Sequence, residues 1–152
     1  MTDDIITIPG RWDISYDYAA GRTASEFLRR LRDEKRISGV RCAKCGRVIL
    51  PPRGFCERCF VAVEEWVDVA PSGVIEAFTI TTEPFDGLPD PPCAIAYVRL
   101  DGASTAMLNF VRGVDLVSVA AAAARMAIGT RVRVEWKEAR EGRITDFYYV
   151  LA

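Results

Sequence analysis

The spacing of apolar residues is helical near the start of the chain. Between residues 23 and 36 they recur every three or four positions, which predicts a helix with one apolar face: Ala24, Phe27, Leu28 and Leu31. Thr23 and Glu26 have the spacing of a capping box, so the helix is expected to start at Thr23. Residues 1–22 contain proline and glycine breakers and are predicted to be irregular.

The pattern changes to strands from residue 61 onward. Apolar and polar residues alternate over 61–69, and β-branched or aromatic runs follow; the further predicted strands are 74–82, 93–100, 105–111, 130–138 and 143–151. Residues 115–128 predict a helix with Asp115 as its N-cap and Gly129 as its stop. This order of strands, helix and strands is that of a small OB barrel with one helix.

Two Cys-x-x-Cys pairs lie between these regions. Cys42 and Cys45 precede Cys56 and Cys59 by a connection long enough for a short hairpin, and Gly46 permits a turn after the first pair. Four converging thiolates make the closed tetrahedral shell of a structural zinc site. A redox pair, buried free thiols and an iron site are the alternatives, and iron would have the same four-cysteine geometry.

These patterns predict a mainly β protein in three segments. An N-terminal arm and amphipathic helix occupy 1–38, a zinc ribbon 39–62, and a C-terminal OB-fold barrel with one helix 63–152.

Composition limits the classes of function. The 152 residues carry a net charge of −1 and contain no histidine, which excludes a Ser-His or Cys-His catalytic pair from this chain alone. No apolar run is long enough to span a membrane, and the acidic start lacks the features of a secretory signal, so a cytoplasmic protein is expected. The charge balance also makes nucleic-acid binding a weaker expectation, although basic residues cluster near the C-terminus.

Three other features have two readings each. The aromatic residues Trp12, Tyr16 and Tyr18 could lie on a partner or on the protein's own domain. The loop 83–89, with apolar Phe85 and Leu88, could cover a partner's active-site entrance or pack on the barrel. Cys93 lies in an apolar strand and is expected to be buried and inert rather than nucleophilic.

The order of these motifs resembles a family of bacterial and archaeal acyl-CoA-associated proteins. The likeness runs from about Thr23 to the end; it includes the cysteine pairs and the segments Pro51-Pro52, Ser72-Gly73-Val74-Ile75, 92–102 and Ile128-Gly129. The cysteines are the specific part, and the other segments contribute through their order. The resemblance implies a rubredoxin-like zinc ribbon joined to an OB domain. The alanine-rich stretch 116–127 departs from the family pattern. Its small side chains could allow close packing on a partner, and an ordinary helix packed on the chain's own barrel is the alternative.

The resemblance also implies a function. Such proteins are non-catalytic accessory subunits of acyl-CoA-processing complexes, with a thiolase as the expected partner and the two-component thiolases of anaerobic aromatic degradation as the narrowest match. An enoyl-CoA hydratase or a hydroxymethylglutaryl-CoA synthase-like partner is the alternative, and a nucleic-acid module or a stand-alone enzyme are others. Basic residues beside the knuckles are candidates to contact the CoA phosphates: Arg41, Lys44, Arg47 and Arg53.

Overall fold

A computed structural model describes residues 6–152. After an irregular N-terminal segment, helix α1 continues into a π-helical turn, five short strands follow, and the last five strands form the barrel. The elements are α1 Arg22–Arg29, the π-helical turn Arg30–Glu34, β1 Ser38–Arg41, β2 Val48–Ile49, β3 Phe55–Cys56, β4 Val61–Ala62, β5 Glu65–Asp68, β6 Ser72–Thr81, β7 Cys93–Leu100, β8 Met107–Arg112, α2 Val119–Arg125, β9 Arg131–Trp136, a 3-10 turn Ile144–Asp146 and β10 Phe147–Leu151.

The predicted OB architecture is confirmed by the barrel. Its strands are ordered β10-β8-β7-β6-β9, and all pairs are antiparallel except β8 with β10. Strand β6 pairs with β7 and also with β9, and Gly73 lies where the two pairings overlap. A Cβ on Gly73 would stand 2.7 Å from Leu100 Cα, so only glycine allows the strands to approach this closely.

An ion pair fastens one end of the barrel. Arg131 donates to both carboxylate oxygens of Asp101, at 2.9 and 2.6 Å, and Ser72 Oγ donates to the same carboxylate at 2.9 Å. The Arg131 hydrogen bonds, followed by that of Ser72, lower the pKa of Asp101 from 3.8 to about 2.

The ribbon consists of two small sheets. The order β2-β1-β5 makes one, and β3 pairs with β4 in the other. The single strand predicted over 61–69 is therefore wrong, because this run divides into β4 and β5, which belong to different sheets. Strand β5 pairs along its whole length with β1 and not with the barrel.

Helix α1 packs its apolar face against the core of the barrel. Phe27 and Leu31 are buried and belong to the same apolar cluster as the barrel strands, which confirms the predicted apolar face. The predicted capping box is wrong: Gly21 is the N-cap, and Thr23 lies inside the helix. Regular helix ends earlier than predicted, since the last turn widens to π geometry and Lys35 takes a left-handed conformation, with φ of 53°.

The ribbon is tied to the barrel by two hydroxyl side chains of the β7–β8 loop. Thr105 Oγ1 accepts from Leu50 N and donates to Leu50 O, both at 2.7 Å. Ser104 Oγ accepts from Val48 N at 3.1 Å, and Ser104 N donates to Val48 O at 2.8 Å. These contacts satisfy the main chain around β2 without a continuous backbone ladder.

Helix α2 is shorter than predicted and starts later. Ser118 is its N-cap, accepting from Ala121 N at 3.4 Å, whereas Asp115 accepts from Val117 N in a turn before the helix. Ala122 packs inward and is fully buried, which matches the expectation of an ordinary helix on its own barrel. Among the described residues no helix has the length and apolarity needed to cross a membrane.

Candidate metal centre

Each cysteine pair forms a knuckle closed by the same hydrogen bond. Gly46 N donates to Cys42 O and Phe60 N donates to Cys56 O, both at 2.8 Å. The residue after each pair takes a left-handed conformation, with φ of 73° at Gly46 and 53° at Phe60. Glycine adopts this conformation without strain, while Phe60 adopts it as a bulky residue whose ring remains 85% exposed.

The four sulfurs converge as predicted. All four Sγ atoms lie within 4.8 Å of one another, and those of Cys45 and Cys56 are 3.9 Å apart. Thiolates about 2.3 Å from a tetrahedral ion lie about 3.8 Å from each other. The donor set therefore fits zinc, and it would fill all four positions of a structural site.

The surroundings of the sulfurs favour a bound cation. Cys42 and Cys56 are fully buried in a small cluster with Val40, Ile49 and Val63. Burial, together with hydrogen bonds from the neighbouring thiols, raises the pKa of Cys59 to about 12. Without a positive ion at the centre, the Cys59 thiol holds its proton instead of a negative charge.

The four cations proposed for CoA contacts have different surroundings. Arg41 pairs with Glu65 at 3.1 Å, and Arg47 pairs with Glu57 at 2.8 Å. Lys44 and Arg53 are exposed, and neither has an ion pair within the part of the chain that the structure describes. Arg53 additionally lines a groove on the barrel.

That groove was missed by sequence reasoning. It has a volume of about 390 Å³ and lies between the outer face of β7 and β8, the ribbon, the β6–β7 loop and the 3-10 turn before β10. Its lining is mostly apolar and includes Leu50, Leu88, Ile95, Tyr97, Leu108 and Ile144. The available signal was that β7 and β8 carry apolar residues at both odd and even positions, whereas a barrel strand normally alternates.

The structure partly decides whether the N-terminal arm and the loop 83–89 pack on the chain's own domain. Trp12, Tyr16 and Tyr18 are each at least 76% exposed, so these side chains, in the described part of the arm, do not pack on their own domain. Phe85 is 74% exposed, while Leu88 is half-buried at the groove.

The basic residues near the C-terminus are mostly paired. Arg131 bonds Asp101, Arg133 pairs with Glu135 at 2.6 Å, and Arg143 pairs with Glu141 at 3.1 Å. A paired, solvated face of this kind offers little free positive charge to a phosphate backbone.

The remaining cysteine lies apart from the metal centre, at the start of β7. Cys93 is buried, and burial raises the pKa of its thiol. An un-ionised, covered sulfur is the inert type that the sequence predicted.

Comparison with known proteins agrees with both parts of the fold. A sequence model of the ChsH2 rubredoxin-like zinc ribbon domain matches residues 29–64, and one of the ChsH2 C-terminal OB-fold domain matches residues 66–137. The chain belongs to the ChsH2 family. The family resemblance expected from the motifs is thereby confirmed, while no curated protein matches the chain.

Solved structures share the architecture of this ChsH2-family chain. A DUF35-family protein of unknown function from Sulfolobus solfataricus is 21% identical, with a TM-score of 0.62 over 87% of each chain. The Ltp2-ChsH2(DUF35) aldolase is also 21% identical, with a TM-score of 0.62 over 88% of this chain and 96% of that one. At this identity the two structures show a common fold.

Proposed function

We propose that this ChsH2-family chain is a non-catalytic accessory subunit of an acyl-CoA-processing complex, and that its catalytic partner is a thiolase. The partner would cleave a carbon–carbon bond of a 3-oxoacyl-CoA with CoA. The ribbon and the exposed N-terminal arm would form the contact with it. The observation that carries the proposal is the closed four-cysteine site in a chain without histidine.

The metal centre supports a structural role. Four protein thiolates leave no open position at a tetrahedral ion, so neither water nor a substrate carbonyl would reach it. The fifth cysteine is buried away from that centre. The residues that could perform acyl transfer would then have to come from another chain.

The name of one structural neighbour supports a partner in carbon–carbon chemistry. That neighbour is called Ltp2-ChsH2(DUF35) aldolase, which joins a second component and a bond-cleaving activity to a chain of this fold. Aldolases and thiolases both break a carbon–carbon bond and release a carbanion that a neighbouring carbonyl group stabilises. The thiolase assignment itself comes from the family resemblance of the motifs.

Ion pairs within the chain reduce the four candidate CoA contacts to two. Arg41 and Arg47 already have carboxylate partners that neutralise their charge. The charges of Lys44 and Arg53 are therefore more available to a phosphate. Arg53 is the stronger candidate because it lies at a ligand-sized groove.

Co-purification tests the class of partner. The native protein, isolated from its own cells under mild conditions, should bring along a thiolase-type chain identified by mass measurement. A hydratase in its place would replace the thiolase assignment with the alternative. Acyl-CoA turnover by the purified chain alone would refute the accessory role.

Charge reversal tests the CoA contact in the assembled complex. Arg53→Glu should raise the Michaelis constant for CoA, since it puts a negative charge near the phosphates. Arg58→Glu is the matched control, because Arg58 is an exposed arginine on the second knuckle that does not line the groove. Equal Michaelis constants for the two variants would remove Arg53 from the site.

A further inference from the structure

The two knuckles of the metal centre belong to separate sheets. Cys42 and Cys45 lie in the turn between β1 and β2, whereas Cys56 lies in β3, which pairs only with β4 among the described strands. No ladder of main-chain hydrogen bonds therefore joins the two halves of the site in the described part of the chain. Their relative position has to be fixed by side-chain contacts and by the ion that the four sulfurs would share.

One ion pair spans the two knuckles. Arg47 follows the first knuckle, and its Nη1 donates to Oε1 of Glu57 at 2.8 Å. Glu57 lies between the two cysteines of the second knuckle. The main chain of Arg47 is bound to the first knuckle as well, since its carbonyl oxygen accepts from Cys42 N at 2.9 Å. A single residue thus contacts one half of the site through its backbone and the other half through its side chain.

The pair differs from a solvated surface pair in its burial. The side chain of Arg47 is 26% exposed and that of Glu57 is 38% exposed. The second carboxylate oxygen, Glu57 Oε2, is shielded from solvent and accepts no hydrogen bond from any described residue. Removing one member of a covered pair leaves the other member uncompensated, which costs more than the pair itself contributes.

The charge of the metal centre adds to this dependence. Four thiolates outnumber the positive charge of one zinc ion, so the occupied site is negative overall. A carboxylate on the second knuckle would repel that centre if its own charge were not neutralised. Side chains that do not touch a metal still change its affinity when they orient the segments that carry the ligands.

We propose that Arg47 and Glu57 are positioning residues for the metal: their ion pair holds the two knuckles in place relative to each other and thereby increases the affinity for zinc. The inference stands apart from the proposed accessory function, since it concerns this chain and zinc alone and requires neither a catalytic partner nor CoA. It gives Arg47 a role other than the CoA contact expected from the sequence.

The zinc affinity of the purified full chain tests the proposal, measured by competition with a chromophoric chelator at constant pH and salt. Arg47→Met should raise the zinc dissociation constant by about 10-fold or more, the size of effect expected for a residue that orients metal ligands. Arg58→Met is the matched control. It removes the same charge from the second knuckle, but Arg58 is exposed and has no ion pair among the described residues, so the constant should change by less than about 3-fold.

A conservative variant separates the ion pair from the shape of the side chain. Arg47→Lys keeps the positive charge and a donor for Glu57 Oε1, and it should stay within about 3-fold of the wild-type zinc dissociation constant. General loss of packing at position 47 would affect the lysine and methionine variants alike. A lysine variant as weak as Arg47→Met would therefore overturn the proposal.

A double-mutant cycle tests whether the two residues act together. Glu57→Met should raise the zinc dissociation constant by about 3-fold or more, and it reports on the same pair from the other knuckle if Arg47→Met does not fold. The double variant Arg47→Met/Glu57→Met should bind zinc no more weakly than Arg47→Met, because no uncompensated carboxylate remains. Multiplied effects in the double variant, or equal dissociation constants for Arg47→Met and Arg58→Met, would each overturn the proposal.

Discussion

Replacing Thr105 with valine tests how the ribbon is held on the barrel. Valine keeps the shape of the side chain but removes the hydroxyl that both accepts from and donates to Leu50, at 2.7 Å in each case. Leu50 is 1% exposed, so solvent would not readily replace the lost partner. Its amide and carbonyl groups would then be buried without a hydrogen bond.

The expected cost follows from that burial. An unsatisfied buried group costs about 1–3 kcal/mol, so we expect the free energy of unfolding to fall by about 2 kcal/mol. With a urea dependence of about 2 kcal/mol per molar, the midpoint should drop by about 1 M. If the Leu50 amide exchanges through local opening, the same substitution should speed its hydrogen exchange by about 30-fold.

Urea unfolding of the zinc-loaded protein, followed by tryptophan fluorescence and circular dichroism, measures the first quantity. Thr79→Val provides the matched control: Thr79 is exposed on β6, and its hydroxyl makes no hydrogen bond with any described residue. It should change stability by less than about 0.5 kcal/mol. Equal midpoints and equal Leu50 exchange rates for the two variants would refute the idea that this hydroxyl fastens the ribbon.

Three other predictions concern the metal, the barrel and pH. The purified chain should contain one zinc ion, measured by elemental analysis; Cys42→Ser should lose it and Cys93→Ser should keep it, whereas iron in the wild type would contradict the zinc assignment. Gly73→Ala should lower the free energy of unfolding by about 1–3 kcal/mol, because its Cβ meets the neighbouring backbone; Gly10→Ala, with nothing within 4 Å, should have little effect. Asp101 has a folded pKa of about 2 against an ordinary 3.8, so its ionised form adds stability above about pH 4 that is lost as pH falls toward 2. The difference in melting temperature between wild type and Asp101→Asn should shrink across that interval, and a constant difference would contradict the assignment.

The metal centre was predictable because all of its determinants are local. Two cysteines separated by two residues define a knuckle, and the short connection leaves few ways to arrange two of them around one ion. Strand β7 was predicted with its observed ends because a turn and a proline-rich loop bound its apolar run. In both cases neighbours along the chain decide the structure.

Other features depend on contacts between residues that are distant in sequence, which the pattern of apolar and polar residues does not predict. Alternation over 61–69 shows which side chains are covered, but not that the run changes sheets after the left-handed turn at Phe60. Asp115 was a plausible N-cap, yet it forms a turn three residues before the actual cap. The groove arises from the ribbon, two loops and the outer barrel face, so no single segment predicts it.

The contact between the first helix and the last loop sets an order of events during synthesis. Arg140 Nε donates to Arg32 O at 2.9 Å across 108 residues, and the core that buries Leu31 includes residues of β10. A ribosome releases the chain from its N-terminus, at about 5–20 residues per second. The cysteine knuckles can therefore capture metal several seconds before the barrel closes, while the burial of Phe27 and Leu31 is completed only when the final strand emerges. During that interval the nascent chain would carry a finished ribbon and an apolar helix exposed to chaperones.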